Sequence, residues 1–507
     1  MSGGKRSRRD WLRETSRLAL GIPLGALSLA ELAALDAVNA SSLSATSVAA
    51  AAKSWPQPEP PYPGEPYPAQ TNTPVSDISS LFPSDPTKYR FTLEEDRFLE
   101  QVERACFQFF WDEANPYTGL VKDRSQANGS DSRNVASIAA TGFGLTGLCI
   151  ADHRGWEDKR KIRDRVRNTL RFVATRVPQA HGFFCHFLNF QNGERAFQSE
   201  VSSIDTALFI CGVLTCKAYF NDDEIASLAD TLYGRLDFNW LLHGEKNLSM
   251  GWTPEHGFIK ARWDAYSELM MIYLLGIGAP NNPQLTKVNW DAWTRTYFEF
   301  NGIRYIGSHA PLFVHQFSQA WFDFRGKRDA YADYFTNSVI ATKVHKLWCL
   351  ELAREFPDYS DDLWGITASD SVRGYTIWGG PPAMGHIDGS VVPCAAGGSL
   401  PFLPEECLKV LRTIYTKYQD RAWKRYGYVD AFNPLTNWYG PDVIGIDVGI
   451  VMIMAENART GFVWEHFMKS DIAQNGMARA GFHAIPSDAP AAAKPIVPAG
   501  YPIFMVK

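Results

Sequence analysis

The sequence predicts an all-α protein, an (α/α)6 barrel made of six helical hairpins with short β-hairpins in its loops. Two helix kinds alternate through residues 91–470. One is amphipathic and charged, as in "EDKRKIRDRVRNTLRFVATR" (157–176) and "DDEIASLADTLYGRL" (222–236). The other is apolar nearly all round and must be buried on every side. Strand patterning is weak, and no repeat recurs at a fixed period of about 30–45 residues, which disfavours the rival α-solenoid. Half-buried helices alternating with fully buried ones imply an outer ring wrapped around an inner one.

The elements follow in order. Residues 1–40 carry basic residues, then Ser7-Arg8-Arg9-Asp10-Trp11-Leu12-Arg13, then an apolar run from Leu18 to Leu35. This resembles a twin-arginine export signal and predicts a periplasmic or secreted protein. A membrane anchor is the rival, but Pro23, Glu31 and Asp36 interrupt the run. Residues 41–90 form a proline-rich linker or arm, "SWPQPEPPYPGEPYPAQTNTP", too poor in aliphatics to build a core. The folded catalytic body, 91–470, begins where Thr92 and Glu95 make a capping box. Its apolar helices are expected at 135–151, 204–220, 266–278, 311–322 and 445–458. "HGFFCHFLNF" (181–190), turned by Gly193, is the best hairpin arm. Residues 471–507 read as an extended Ala/Pro-rich tail.

The chain has 507 residues, 45% hydrophobic and 13% aromatic, enough for a large core. A net charge of −5 gives no basic signature for nucleic acid or anionic membrane. No membrane contact beyond the export signal is expected, and the body is expected to be monomeric. The eight cysteines are scattered without CxxC or zinc spacing, so buried free thiols are expected rather than a disulfide framework. There is no P-loop, HExxH or GxSxG. "GFGLTG" (142–147) lies inside a helical run and needs only close helix packing. His181 and His186 read as loop histidines, and no metal or cofactor is expected.

In such a barrel the inner helices run the same way, so the loops before their N-termini gather at one mouth. Acids concentrate there: Asp123, Glu200, Asp205, Glu255, Asp264, Glu268 and Asp447. Clustering raises some pKa values by repulsion and desolvation and leaves other groups ionised. Acids at helix starts are also ordinary caps, which is the competing reading for Asp205, Asp264 and Asp447. Glu268, beside Leu269, Met270 and Met271, faces an apolar wall, where an idle carboxylate would cost stability. Trp364, Trp378, Trp438 and Tyr439 stand in Gly/Pro/Asn-rich loops and are expected as exposed rings that suit sugar faces. Paired carboxylates with loop aromatics meet the requirements of glycoside hydrolysis.

The motifs "GLVKDRS" (119–125), "SEVSSIDTALF" (199–209), "MGWTPEHGF" (250–258), "WDAYSE" (263–268), "LWGITASDSVRGY" (363–375), "GSVVPCAAGGSLPF" (389–402) and "GIDVGIVMIMAENARTGFVW" (445–464) add a family likeness. With them the body resembles the bacterial glucoamylase-like family that includes endo-β-1,2-glucanases of glycoside hydrolase family 144. The resemblance implies an (α/α)6 barrel and inverting hydrolysis of β-1,2-glucan (sophoro-oligosaccharides and their polymers) without a metal.

Glu268 is expected as general acid and Asp447 as general base, with Glu255 and Glu200 as competitors for the acid role. Asp123, Arg124, Glu200, Asp205, Tyr266, His315, Gln316, Asp370, Arg373, Trp378, Asp430 and Trp438 are candidate substrate contacts. A non-catalytic sugar-binding protein and a glucan transglycosylase or lyase of the same fold are the alternatives.

Overall fold

The computed structural model describes residues 85–129, 131–308, 311–378, 387–486 and the backbone of 503–505. The export segment and all but the last residues of the proline-rich arm lie outside the described residues. Among those described, no helix is long and apolar enough to cross a membrane.

The outer helix α1 (Leu93–Asp112) starts at the expected capping box: Glu95 N donates to Thr92 Oγ1 and Thr92 N donates to Glu95 Oε2. It buries a stripe through Leu99, Val102, Cys106, Phe109 and Phe110. The inner helix α2 (Ile138–Arg154) is capped by Ser137 and buried along nearly its whole length, ending at Gly155 in the left-handed region. The pattern repeats with α3 (Lys159–Arg176, outer, capped by Asp158) and α4 (Ser203–Tyr219, inner, capped by Ser202). Next come α5 (Asp223–Gly234, outer) and α6 (Met270–Ile277, inner, buried at every position).

Past α6 the inner ring is built of short pieces, Phe317–Trp321 and Pro393–Gly397, both wholly buried. Their neighbours are α7 (Tyr334–Leu352) and α8 (Pro404–Thr413). The inner helix α9 (Gly445–Arg459) packs on α1 and α2 and closes the ring. The architecture is the expected (α/α)6 barrel.

Short strands frame the N-terminal ends of the inner helices. β1 (Arg124–Gln126) pairs antiparallel with β10 (Asp442–Ile444), which runs directly into α9. β2 (Val135–Ser137), leading into α2, pairs with β3 (Phe187–Asn189). β4 (Val201–Ser202), leading into α4, pairs with β5 (Gly251–Thr253). β6 (Tyr297–Phe300) and β7 (Ile303–Ile306) form a hairpin, as do β8 (Ser369–Ser371) and β9 (Gly374–Thr376). "HGFFCHFLNF" is therefore strand-forming as expected, although β3 takes β2 as its main partner and meets the returning chain only at the Leu188–Arg195 bridge.

Two expectations are corrected. The segment after residue 470 is not wholly extended: behind α10 (Phe462–Phe467) it opens with α11 (Asp471–Ala480), which packs on α6. Gly278 and Gly476 permit a backbone-close crossing, because a Cβ on either would stand 2.1 Å from Ile472 O or 2.4 Å from Leu274 O. Arg479 donates to the carbonyls of Ile277 and Ala279, satisfying the end of α6. Further on, β11 (Ile503–Met505) pairs parallel with β6. Second, Asp264 does not cap α6. Residues around it run extended, Thr294 N donating to its carbonyl and Tyr266 N to Thr294 O, so the helix begins later, at Met270 after Leu269.

Candidate active site

The strand pairs carry most of the expected acids to one mouth. On one side β1, β8, β10 and the start of α9 meet. Arg124 on β1 donates through Nη1 to both carboxylate oxygens of Asp370, each at 2.9 Å, and its Nε reaches Asp123 at 3.3 Å. Arg133 forks onto Asp442 at 2.6 and 2.8 Å. Asp370 N in turn donates to Asp430 Oδ2 at 2.6 Å. Asp447, in the first turn of α9, completes the group: Asp430 and Asp447 are 4% and 8% exposed. One oxygen of each, Asp430 Oδ1 and Asp447 Oδ2, is buried and accepts from no amide, hydroxyl or cationic donor.

Asp430 and Asp447, two buried carboxyls, stand beside Asp370 and Arg124, so burial and mutual repulsion oppose ionising both. Burial, then the charges of Asp447 and Asp370, push Asp430 well above the usual carboxylate range. Burial pushes Asp447 up to about 6, opposed by hydrogen bonds from Asp430 and Cys394. Within the pair the higher pKa thus falls to Asp430 and the lower to Asp447. Arg124, although buried, is held charged by Asp370 and Asp123.

Across the mouth, His186 bridges two more acids. Its Nδ1 lies 3.4 Å from Glu200 Oε1 and its Nε2 lies 3.6 Å from Asp205 Oδ1. Ser202 Oγ, the cap of α4, donates to Asp205 Oδ2. Burial raises the Asp205 pKa, opposed by His186 and Ser202. His186, Glu200 and Asp205 are also the one group among the described residues able to hold a metal ion, their donor atoms lying within 4.8 Å of one another. Here each ring nitrogen faces a different carboxylate. An ion would take one ring nitrogen and leave the other to its carboxylate, so the bridge is compatible with either occupancy.

The remaining candidates separate. Glu268 occupies the turn just before α6, half-buried, its carbonyl accepting from Ser318 Oγ at 2.6 Å. Glu255 is more exposed than expected of an acid catalyst. Arg195 donates to both its oxygens, at 2.7 and 3.0 Å, and holds its carboxyl below the usual range, the wrong charge state for a proton donor.

Tyr266, His315 and Gln316 do not face an open cleft. Tyr266 and His315 are buried and bonded to each other at 2.9 Å, and burial pushes His315 down to about 3. Gln316 Nε2 donates to Ala395 O and Ser399 Oγ and ties two inner segments together. Trp364 and Trp378 are buried rather than exposed, Trp378 Nε1 donating to Ser369 Oγ at 2.9 Å. Trp438 and Tyr439 are half-buried, with Tyr439 stacked on Phe432. Arg373 is exposed at the β8–β9 turn. Sequence reading missed Arg133, Arg195 and Asp442, and read His186 as a plain loop residue. A second hollow, lined by Tyr89, Arg90, Arg325 and Trp464, lies at the far end of α9, away from these acids.

Comparison with known proteins bears on this arrangement. The family model named Glycoamylase matches residues 260–471. The crystal structure of an endo-β-1,2-glucanase from Chitinophaga pinensis, in complex with sophorotriose and glucose, superposes with a TM-score of 0.72 at 26% identity, covering 78% of this chain and 99% of that one. The likeness of this chain is thus to glucoamylase-like proteins. A β-1,2-glucanase structure from Parabacteroides distasonis matches with a TM-score of 0.71 at 25% identity, over 78% of this chain and 60% of that one. An exo β-1,2-glucooligosaccharide sophorohydrolase (non-reducing end) from the same species is 26% identical over 426 residues, 76% of this chain. The chain spans 58% of the length of that curated relative. These likenesses and the fold agree with the resemblance carried by the motifs.

Proposed function

We propose that this chain is a glycoside hydrolase that cleaves β-1,2-linked glucan with inversion of the anomeric centre. The observation that carries the reading is the buried Asp430–Asp447 pair, held at the mouth by Asp370 N and the Arg124–Asp370 ion pair; a proton kept by Asp430 would leave its neighbour free to be a base. The names of the relatives support the substrate class. In the mechanism, ionised Asp447 removes a proton from a water attacking the anomeric carbon, while Glu268 protonates the departing glycosidic oxygen from the other side. Arg124 and Asp370 fix Asp430, and Asp430 donates to Asp447 and orients it. His186 holds Glu200 and Asp205 in place to receive sugar hydroxyls.

The test is hydrolysis of a panel of linkage-defined glucans followed by NMR of the newly formed anomer. Release of α-configured product from β-1,2-glucan is expected. Retention of the β-anomer overturns inversion, new linkages mark a transglycosylase, and binding without products marks a sugar-binding protein. We further propose export by the twin-arginine route. Arg8→Lys with Arg9→Lys should leave the protein in the cytoplasm, and unchanged export of the double variant overturns that route.

A further inference from the structure

The chain leaves β3 and returns through residues whose backbone is strained. Phe197 and Gln198 adopt φ of 53° and 51°, a left-handed conformation that a bulky side chain avoids, in two consecutive non-glycine residues. Such conformations persist only where the surroundings enforce them. Here Arg195 enforces them: its Nε donates to Ser199 O at 2.5 Å, its Nη2 donates to Gln198 O, and its fork is anchored on Glu255 from the next hairpin. Ser199 Oγ and the backbone of Phe187 bond each other at 3.1 and 3.2 Å and fix the base of the loop.

The result of this bracing is an aromatic ring held out in solvent. Phe197 is 47% exposed, while its neighbour Phe187 is 8% exposed. A lone exposed apolar residue is commonplace. A Phe that the chain strains itself to expose, beside an acid-lined mouth, is not. The Phe197 ring stands edge-on to Phe187 with centroids 6.0 Å apart, Phe187 stacks on His186 at 3.9 Å, and His186 bridges Glu200 and Asp205. The three rings make a continuous ladder from solvent to the buried acids.

We propose that Phe197 is a stacking platform for a sugar ring at the outer edge of the cleft, with the Arg195–Glu255 pair as the brace that presents it. A β-linked glucopyranosyl unit carries its hydroxyls equatorially, so both its faces are C–H surfaces that an aromatic face can cover. Glu255 thereby serves chain binding and not proton transfer. The inference rests on the glucan-hydrolase reading and adds to it a subsite distant from the reacting bond.

The experiment compares wild type, Phe197→Ala and Phe197→Tyr on β-1,2-gluco-oligosaccharides of increasing length, reading KM and kcat separately. Phe197→Ala should raise KM about tenfold on the longer substrates, the penalty of losing one aromatic anchor. It should leave kcat within about twofold and spare the shortest substrate cleaved, because binding away from the reacting bond is lost. Phe197→Tyr, which keeps the ring, should restore KM. Wild-type KM for Phe197→Ala at every length, or equal impairment of the Tyr variant, overturns the platform. Absence of hydrolysis by the wild type overturns the glucanase reading itself, and direct calorimetric binding of the same oligosaccharides then decides the platform: equal affinity of wild type and Phe197→Ala overturns it.

Discussion

Asp447 can act as a base only while ionised, and burial has moved its pKa up to about 6. The acidic limb of kcat/KM should therefore fall as pH drops through that value. Asp447→Asn should lose about 10²–10⁴ in kcat while still binding glucan, as measured by steady-state kinetics and calorimetry. Asp430 separates two effects. Asp430→Asn keeps a donor towards Asp447 and should leave the limb nearly in place. Asp430→Leu removes the hydrogen bond that lowers the Asp447 pKa, so the limb should move to higher pH. The same pair bears on stability. A carboxyl whose pKa is raised on folding binds more protons folded than unfolded, so its contribution falls as pH rises above about 3.9. Asp430→Asn should then raise the melting temperature at neutral pH, with the gain vanishing in acid. Asp447 was legible in the sequence as a mouth acid and Asp430 as a substrate contact, but their partnership was not, because it is made by Asp430 N bonding Asp442 O on β10, the strand that leads into α9. Arg195 gave no local signal, since its partner Glu255 belongs to another hairpin. Tyr266, His315 and Gln316 misled because a polar side chain at a helix start reads the same whether it faces a ligand or a neighbouring helix.

At the scale of elements, capping and periodicity were legible and chain crossings less so. Thr92 caps the helix that follows it, as its box with Glu95 implies, and the structure adds Asp158, Ser202 and Asp222 as the caps of α3, α4 and α5. "GFGLTG" marks the closest inner contact. A Cβ on Gly142 would stand 2.5 Å from Leu208 O, and one on Gly212 would stand 2.1 Å from Gly142 O. Backbone meets backbone there, so no side chain can move to make room. Gly212→Ala should cost about 1–3 kcal/mol or more in urea unfolding, with a lower midpoint, because α2 and α4 must separate. An unchanged midpoint would show that the two helices slide freely. The helix α11 escaped notice because Ala and Pro dominate the composition around it, while its buried stripe of Ile472, Ala473, Met477 and Ala480 is short.

The whole barrel must join its last inner helix to its first outer one, and a buried ionic cluster marks that seam. Arg459, at the end of α9, donates to Asp96 at 2.8 Å, Glu103 at 2.9 Å and Glu100 at 3.2 Å, all on α1. Arg154 from α2 binds Glu456 bidentately, each bond 2.9 Å. Burial and the charge of Glu456 push Glu103 well above the usual carboxylate range, while Arg459 opposes them. Replacing the whole cluster with apolar groups could be neutral, but removing only the cation strands the acids. Arg459→Met should therefore cost about 3–5 kcal/mol in urea unfolding at neutral pH. The cost should shrink as pH is lowered into the acid range, since Arg459 holds Asp96 below the usual carboxylate range and that contribution is lost when Asp96 is protonated. A deficit independent of pH would assign the loss to packing of the arginine stem instead. The seam lies at the opposite end of α9 from Asp447, so kcat on β-1,2-glucan at a temperature where the variant is folded should match wild type. A fall in kcat there would mean that closing the ring sets the position of the base.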